Sequence, residues 1–211
     1  MLRKPLPARS PVSSQKRSSN GDGVFRSHHA WLFARNFFRH PRMLGSIIPS
    51  SRFLINHLIT PIHFDRSRCI VEYGPGIGNI TKELLERMRP DSRLIAIETN
   101  EEFVAFLKYQ FHDPRLHVLH ASAAEVSRIM YDLRLDCADY IISGIPYSTM
   151  PISLRNSILR ESRQVLHPEG AFIIYQFSNA VLPHLQAHFR SIRQEFEPRN
   201  VLPARLFYCM K

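Results

Sequence analysis

The sequence predicts one α/β domain with a mostly parallel sheet of seven strands between layers of helices. Short apolar runs alternate with longer amphipathic segments from about residue 69 onward. Two runs, 138–142 and 171–175, are predominantly apolar, as in strands that are buried on both faces of a sheet. The 211 residues suffice for one such domain and are too few for two of ordinary size.

The predicted elements alternate between strand and helix. Ser50 or Ser51 is a suitable cap for a helix that runs to about Thr60. Strands are predicted near residues 69–73, 93–98, 116–119, 138–143, 170–177, 191–197 and 204–210. Helices are predicted near residues 78–89, 100–111, 122–134, 151–167 and 179–189.

Positive charge is concentrated at the start of the chain. Of a formal net charge of +10, residues 1–42 contribute nine basic residues against a single acid, whereas residues 43–211 are nearly neutral. Such a cationic segment implies a polyanionic partner, either nucleic acid or an anionic membrane surface. With 44% hydrophobic and 22% charged residues the chain resembles a globular protein, which argues against wholesale disorder and against a multi-span membrane protein.

Three segments follow from this pattern: a disordered basic tail (1–26), N-terminal helices that face membrane or substrate (27–60), and the α/β core (61–211). A helix from Ser27 to His40 would be amphipathic, with a basic side and an aromatic side. The aromatic side could pack on the core, or it could insert into a membrane while the cations face phosphates. RNA contact is a third alternative. The membrane interpretation assigns contacts to Trp31, Arg35, Phe37, Phe38, Arg39 and Arg42.

A glycine-rich turn between a strand and a helix is the strongest motif. Residues 69–81 read CIVEYGPGIGNIT, and Glu98 ends the next predicted strand, twenty residues after Gly78. Glycines let the backbone approach a ligand, and a carboxylate at Glu98 can accept both hydroxyls of an adenosine ribose. A dinucleotide fingerprint would need glycine at Asn79. A turn that only packs helix on strand is the alternative.

The pattern E-x-G-x-G-x-G resembles motif I of class I S-adenosylmethionine-dependent methyltransferases. The resemblance implies a Rossmann-like fold and S-adenosylmethionine as cofactor. It places Glu72 near the methionine amino end and Glu98 on the ribose, with the backbone of Gly74, Gly76 and Gly78 around the ligand. Ser122 stands where this family often has an acid that bonds the adenine amino group.

The segment after the fourth strand, SGIPYSTMP at 143–151, resembles two groups of acceptor loops. Adenine N6-methyltransferases, including ribosomal RNA dimethyltransferases, carry Asn-Ile/Leu-Pro-Tyr there. In them the Asn side chain and a backbone carbonyl bind the exocyclic amine, and the Tyr stacks on the base. Here Gly144 replaces that Asn, and Tyr147 keeps the Tyr. An ordinary loop with a buried Tyr147 is the alternative.

The loop is also similar to Ser-Gly-Leu-Pro of the peripheral bacterial phospholipid N-methyltransferases, which convert phosphatidylethanolamine stepwise to phosphatidylcholine. That family has a basic amphipathic N-terminal helix and a segment like Gly45–Ser51, so the resemblance spans about 28–211. It implies a phospholipid substrate at an anionic membrane surface bound through residues 1–42. Tyr147 and Thr149 depart from its pattern, so RNA stays open as the acceptor.

Methyl transfer from a sulfonium needs little acid–base machinery, because the amine has only to be neutral and in line. The catalytic candidates are the backbone at Gly144 and the rings of Tyr147 and Tyr73. We predict no metal, since His184 and His188 lack a third ligand. Three cysteines without metal or CxxC spacing favour a cytoplasmic protein, here peripheral to the inner face of the cytoplasmic membrane.

Overall fold

The structure is a computed structural model that describes residues 50–211. Its strands are β1 Cys69–Tyr73, β2 Arg93–Glu98, β3 Leu116–His120, β4 Ala138–Ser143, β5 Leu166–Gln176, β6 Ser191–Glu197 and β7 Ala204–Met210. Its helices are α1 Arg52–Ile59, α2 Asn79–Arg87, α3 Glu101–Gln110, α4 Val126–Asp132, α5 Ile152–Val165 and α6 Leu182–His188, with 3₁₀ turns at Ala123–Glu125 and Tyr147–Thr149.

The seven strands form one sheet in the order β3-β2-β1-β4-β5-β7-β6. β1 to β5 are parallel, and β7 runs antiparallel to both β5 and β6. The predicted mostly parallel, seven-stranded sheet is therefore confirmed. The chain moves outward from β1 to β3 and then returns to place β4 on the other side of β1. The crevice between the carboxyl ends of β1 and β4 is thus the switch point where such sheets bind ligands.

Helices cover both faces of the sheet, because successive residues of each central strand point to opposite sides. Val71 and Ile141 face a layer that includes residues of α4, α5 and α6. Ile70 and Ile142 face α1 and α2. These side chains are fully buried, and each such aliphatic group stabilises the fold by about 1.5–3 kcal/mol.

Helix α1 begins as the sequence predicts. The Ser51 side chain accepts a hydrogen bond from the Leu54 backbone N–H at 3.1 Å, which caps the helix. Leu54 and Leu58 are fully buried in the core. Within residues 50–211, no helix has the length and apolar character of a transmembrane span.

Several element boundaries differ from the predictions, among them the start of β5 at Leu166 instead of near 170 and the start of α6 at Leu182 instead of near 179. The segment predicted as one helix over 122–134 is a 3₁₀ turn followed by α4. The helix predicted to end at 167 stops at Val165, because Leu166 already pairs with Ala138 in the sheet. At Gly170 a side chain would meet the Asp139 carbonyl oxygen at 2.4 Å, so the strands approach closely there. The predicted tail 1–26, the predicted helix 27–40 and segment 43–49 lie outside the described residues.

Candidate functional site

A cavity of about 350 Å³ lies at the carboxyl ends of β1, β2, β4 and β5. The glycine loop and Glu98 form one side, while Gly144–Pro146, Leu154 and Tyr175 form the other. A more open depression of about 470 Å³ lies at the amino ends of β1 and β4, away from both loops. Gly74, Gly76, Glu98 and the loop Gly144–Pro146 therefore converge on the first cavity.

The glycine loop has a left-handed backbone at its three glycines. The φ angles of Gly74, Gly76 and Gly78 are 67°, 56° and 82°, a region that other residues rarely adopt. A side chain at Gly74 would meet Ile145 Cγ2 at 2.7 Å, so the glycine loop and the acceptor loop touch. Gly74 and Gly76 line the cavity, and Gly78 begins α2.

Glu98 is fixed by backbone donors from two loops. Its Oε2 accepts the Gly76 N–H at 3.2 Å, and its Oε1 accepts the N–H groups of Thr99 at 2.8 Å and Asn100 at 2.9 Å. The side chain is 7% exposed and borders the cavity. This geometry suits a carboxylate that must receive ligand hydroxyls in a fixed position.

Ser122 also lines the cavity, but its hydroxyl is a structural cap. The Oγ accepts the Ala124 N–H at 3.2 Å, and Glu125 accepts the Ser122 N–H at 3.1 Å in a capping box. The hydroxyl hydrogen can still be donated to a ligand. Its predicted contact with adenine stays a prediction.

Glu72 lies in the interface between β1 and α2 and does not border the cavity. Its carboxylate accepts the Thr81 hydroxyl at 2.7 Å and is only 2% exposed. Burial raises the pKa of Glu72 to about 7. The hydrogen bond from Thr81 lowers this pKa, but its effect is smaller than that of burial. Its predicted place near a methionine amino group stays a prediction.

The acceptor loop brings Gly144 against Tyr175. An added Cβ at Gly144 would lie 2.5 Å from the Tyr175 hydroxyl oxygen and 2.9 Å from its ring, so this position has no room for a side chain. Tyr175 and Gly144 both border the cavity. Burial raises the pKa of the Tyr175 phenol, which therefore stays neutral.

The two tyrosines predicted for catalysis point elsewhere. The Tyr147 ring is fully buried, packs edge-on to Phe172, and its hydroxyl lies 3.0 Å from Ser143 Oγ. The Tyr73 residue borders the cavity, but its side chain is fully buried and its hydroxyl lies 3.0 Å from Ser162 Oγ. Burial raises the pKa of both phenols. Tyr175 is thus the aromatic side chain beside Gly144.

Two buried polar side chains support the acceptor loop, and sequence reasoning missed both. Gln176 Nε2 donates to the Ile145 carbonyl at 2.9 Å. Arg155 Nη1 donates to the Tyr147 carbonyl at 3.2 Å, and its Nε has no partner among residues 50–211. Tyr175 was missed as well, although its place at the end of the predicted strand 170–177 was a usable signal.

The remaining predictions concern other regions. Trp31, Arg35, Phe37, Phe38, Arg39 and Arg42 lie outside the described residues, so their membrane contacts stay predictions. His184 and His188 are on α6. In the part of the chain that is described, no three His, Cys, Asp or Glu side chains are grouped to hold a metal ion.

Comparison with known proteins connects this site to methyl transfer. The family described as ribosomal RNA adenine dimethylase matches residues 37–167. Ornithine lipid N-methyltransferase of Singulisphaera acidiphila is 30% identical over 181 residues, which cover 85% of this chain and 94% of that protein. Ribosomal RNA small subunit methyltransferase A of Mycoplasma capricolum is 30% identical over 95 residues, but these cover only 35% of that protein.

Solved structures agree on the fold. The 1,6-didemethyltoxoflavin-N1-methyltransferase of Burkholderia thailandensis, determined with bound S-adenosylhomocysteine, has a TM-score of 0.58 and 15% identity over 97% of this chain and 94% of its own. The chain is therefore a class I S-adenosylmethionine-dependent methyltransferase that belongs to the family described as ribosomal RNA adenine dimethylase, and over 85% of its length it is similar to a lipid N-methyltransferase.

Proposed function

We propose that this protein transfers methyl groups to the amine of a membrane phospholipid, phosphatidylethanolamine, toward phosphatidylcholine, at an anionic membrane surface. The contact between Gly144 and Tyr175 is the observation that carries the proposal. Gly144 lacks the asparagine side chain with which the resembling RNA enzymes bind adenine. The Tyr175 phenol occupies the space that this side chain would need. The similarity to a lipid N-methyltransferase along 94% of that protein supports the same acceptor class.

The residues around the cavity fit S-adenosylmethionine. The positive φ angles of Gly74 and Gly76 favour glycine, which leaves the backbone at these two cavity-lining positions open to a ligand, and the Glu98 carboxylate is fixed in a position that suits a ribose. Ser122 and the apolar side chains of Ile97 and Phe103 border the part of the cavity where an adenine would lie. When bound, the cofactor supplies a methyl group on a positively charged sulfur.

The acceptor side must bind an amine without its extra proton, because an ammonium has no lone pair. Met150, Leu154 and Ile158 give this side of the cavity an apolar wall. Burial beside such a wall lowers the pKa of an ammonium, which favours the neutral amine. The Ile145 carbonyl already accepts the Gln176 amide, so the Gly144 carbonyl and the Tyr175 oxygen are the acceptors we assign to the substrate N–H.

The Tyr175 ring also suits the product. A methylated ammonium carries a permanent positive charge, which an aromatic face attracts by about 0.5–2 kcal/mol. In the sequence-based hypothesis this role belonged to Tyr147 or Tyr73, but both of their side chains are buried in the core. We therefore assign the role to Tyr175.

RNA is the second candidate acceptor, because the matching family is described by an adenine dimethylase. A base clamp would need a ring that is free to stack. The Tyr147 ring is buried and its hydroxyl is bound to Ser143, which argues against such a clamp. Ornithine lipid is a third candidate, since it is the acceptor in the name of the similar enzyme and also presents an amine.

The decisive experiment supplies methyl-labelled S-adenosylmethionine with one acceptor at a time. The acceptors are vesicles of phosphatidylethanolamine and phosphatidylglycerol, vesicles of ornithine lipid and phosphatidylglycerol, and total ribosomal RNA. We expect label in phosphatidylethanolamine, and chromatography then counts the methyl groups. Label only in ornithine lipid would show that the acceptor is ornithine lipid and not phosphatidylethanolamine. Label only in RNA would refute a lipid acceptor.

A further inference from the structure

The exposed large apolar side chains within residues 50–211 are unevenly distributed. Two tyrosines, Tyr109 and Tyr131, lie near the ends of α3 and α4, toward the amino ends of the strands. The others lie at the carboxyl edge of the sheet or in the helix turns beside it. We call them the carboxyl-edge rim, and they are Phe53, Ile77, Ile152, Leu154, Phe177, Phe196, Val201 and Leu202.

The loop between β6 and β7 presents the most exposed aliphatic member of the rim. Val201 is 71% exposed and Leu202 is 43% exposed. Nevertheless, hydrogen bonds fix the loop. The Ser51 N–H donates to Asn200 Oδ1 at 2.8 Å, and Asn200 Nδ2 donates to the Leu202 carbonyl at 2.9 Å. Asn200 itself is only 9% exposed, so the hydrogen bonds of a buried side chain hold Val201 and Leu202 in their exposed positions.

Arginines flank the same loop. The Arg199 guanidinium lies 4.6 Å from the ring centre of Phe53 and is paired with the Glu197 carboxylate. The Arg205 guanidinium lies 5.6 Å from the ring centre of Phe196. An apolar tip between cations and aromatic rings is the composition of surfaces that enter the interface of a lipid bilayer, where apolar groups meet acyl chains and cations meet phosphates.

The rim is continuous with the acceptor side of the cavity. Leu154 is 38% exposed and lines the cavity, and Ile152 precedes it in the first turn of α5. Phe177 follows Tyr175 by two residues at the end of β5. A bilayer against the rim would therefore present its headgroups at the opening beside Gly144.

We propose that the carboxyl-edge rim is a docking surface for an anionic lipid bilayer, with Val201 and Leu202 entering the acyl-chain region and Arg205 facing lipid phosphates. This inference rests on the proposed function for its choice of occupant. It adds a contact made by the core itself, in addition to the predicted contacts of residues 1–42.

The test replaces both aliphatic side chains, in the full chain, by Val201→Asp and Leu202→Asp. The matched control is Tyr131→Asp, an 83% exposed ring near the opposite edge. Binding is measured by co-sedimentation with phosphatidylethanolamine/phosphatidylglycerol vesicles, and folding by affinity for S-adenosylhomocysteine. Methyl transfer is compared between these vesicles and monomeric short-chain phosphatidylethanolamine.

We expect the double variant to lose about tenfold or more in vesicle affinity, since two charges replace two apolar anchors. Its cofactor affinity and its rate on the monomeric lipid should stay within about twofold of wild type. The serine pair Val201→Ser and Leu202→Ser should give a smaller loss in the same direction. Unchanged vesicle affinity in the aspartate variant, or an equal loss in Tyr131→Asp, would overturn the inference.

The two proposals can fail separately. If the wild type methylates no lipid in either form but the double variant loses vesicle binding, the docking surface stands and the proposed function fails. If the wild type methylates monomeric phosphatidylethanolamine but the variant binds vesicles normally, the function stands and the docking surface fails.

Discussion

The hydroxyl oxygen of Tyr175 lies where a side chain on residue 144 would begin, 2.5 Å from an ideal Cβ at Gly144. Tyr175 lies near the carboxyl end of β5, and Gly144 directly follows β4. The pairing of these neighbouring parallel strands brings the two residues together. This contact forms part of the cavity lining, and it explains why position 144 has no room for a side chain.

Gly144→Ala should lower the rate of methyl transfer by about tenfold or more, because Tyr175 must move to make room for the alanine side chain. Cofactor affinity should change little, since Gly76 and Glu98 are untouched. In a Tyr175→Ala background the same glycine substitution should cost much less, because its clashing partner is gone. Additive losses in this double-mutant cycle would contradict the account.

Glu98→Ala should weaken S-adenosylmethionine binding by about tenfold to a hundredfold, since hydrogen bonds to a charged group contribute about 1.5–3 kcal/mol. Isothermal titration calorimetry measures the effect. Glu102→Ala, an exposed acid on α3, is the matched control. Because Glu98 also accepts backbone N–H groups, circular dichroism must confirm that the variant is folded. Unaltered affinity in a folded variant would refute the ribose assignment.

The buried carboxyl of Glu72 should make the stability of the cofactor-free protein depend on pH. Its pKa is raised from 4.5 to about 7, so the folded state holds the proton more tightly than the unfolded state. The stability that this group contributes is complete below about pH 4.5 and is lost as pH rises through about 7. Glu72→Gln should therefore flatten the melting temperature across this window. An equal decline in both proteins would contradict the assigned pKa.

Glu197 should have the opposite effect at acidic pH. Hydrogen bonds from Arg199, with one from His57, lower its pKa from 4.5 to about 2. The stability that it contributes is present above about pH 4.5 and is lost as pH falls through about 2. Glu197→Gln should reduce the free energy of unfolding by about 1–3 kcal/mol at pH 7. The difference in the free energy of unfolding between this variant and the wild type, measured with urea, should become smaller toward pH 3. Glu86→Gln, the control, should unfold with the same free energy as the wild type.

The aromatic residues of the predicted N-terminal helix give a separate prediction. Replacing Phe37 and Phe38 by Ser should weaken binding to liposomes by about tenfold or more, because both rings lie on the predicted apolar side of the helix and only the contact of the carboxyl-edge rim would remain. Liposome flotation measures binding, and cofactor affinity should be unchanged. Intact flotation of this variant would remove the claim that this helix enters the membrane.

Local patterns in the sequence were enough to predict the sheet and to bring the glycine loop and Glu98 to one cavity. The glycine loop at 74–78 follows one predicted strand and Glu98 ends the next, so the order of elements alone brings them to one edge. Side-chain direction could not be predicted in the same way. Tyr147 was expected at the acceptor, yet tertiary packing turns its ring onto Phe172.

Long-range contacts were also beyond the sequence. Gln176 reaches the Ile145 carbonyl across 31 positions of the chain, and Ser51 reaches Asn200 across 149. No periodicity or motif marks such a pair, because each depends on the final register of the sheet. For the same reason the rim at Val201 and Leu202 became recognisable only once β6 and β7 were in place.

The most direct test of a lipid-amine acceptor is mass spectrometry of lipids from bacterial cells that lack methylated phospholipids and express this chain. The account predicts methylated forms of phosphatidylethanolamine in cells with the wild-type protein and none in cells with Glu98→Ala. Unmodified lipids in the presence of folded, cofactor-binding wild-type protein, with newly methylated adenines in the ribosomal RNA, would contradict it.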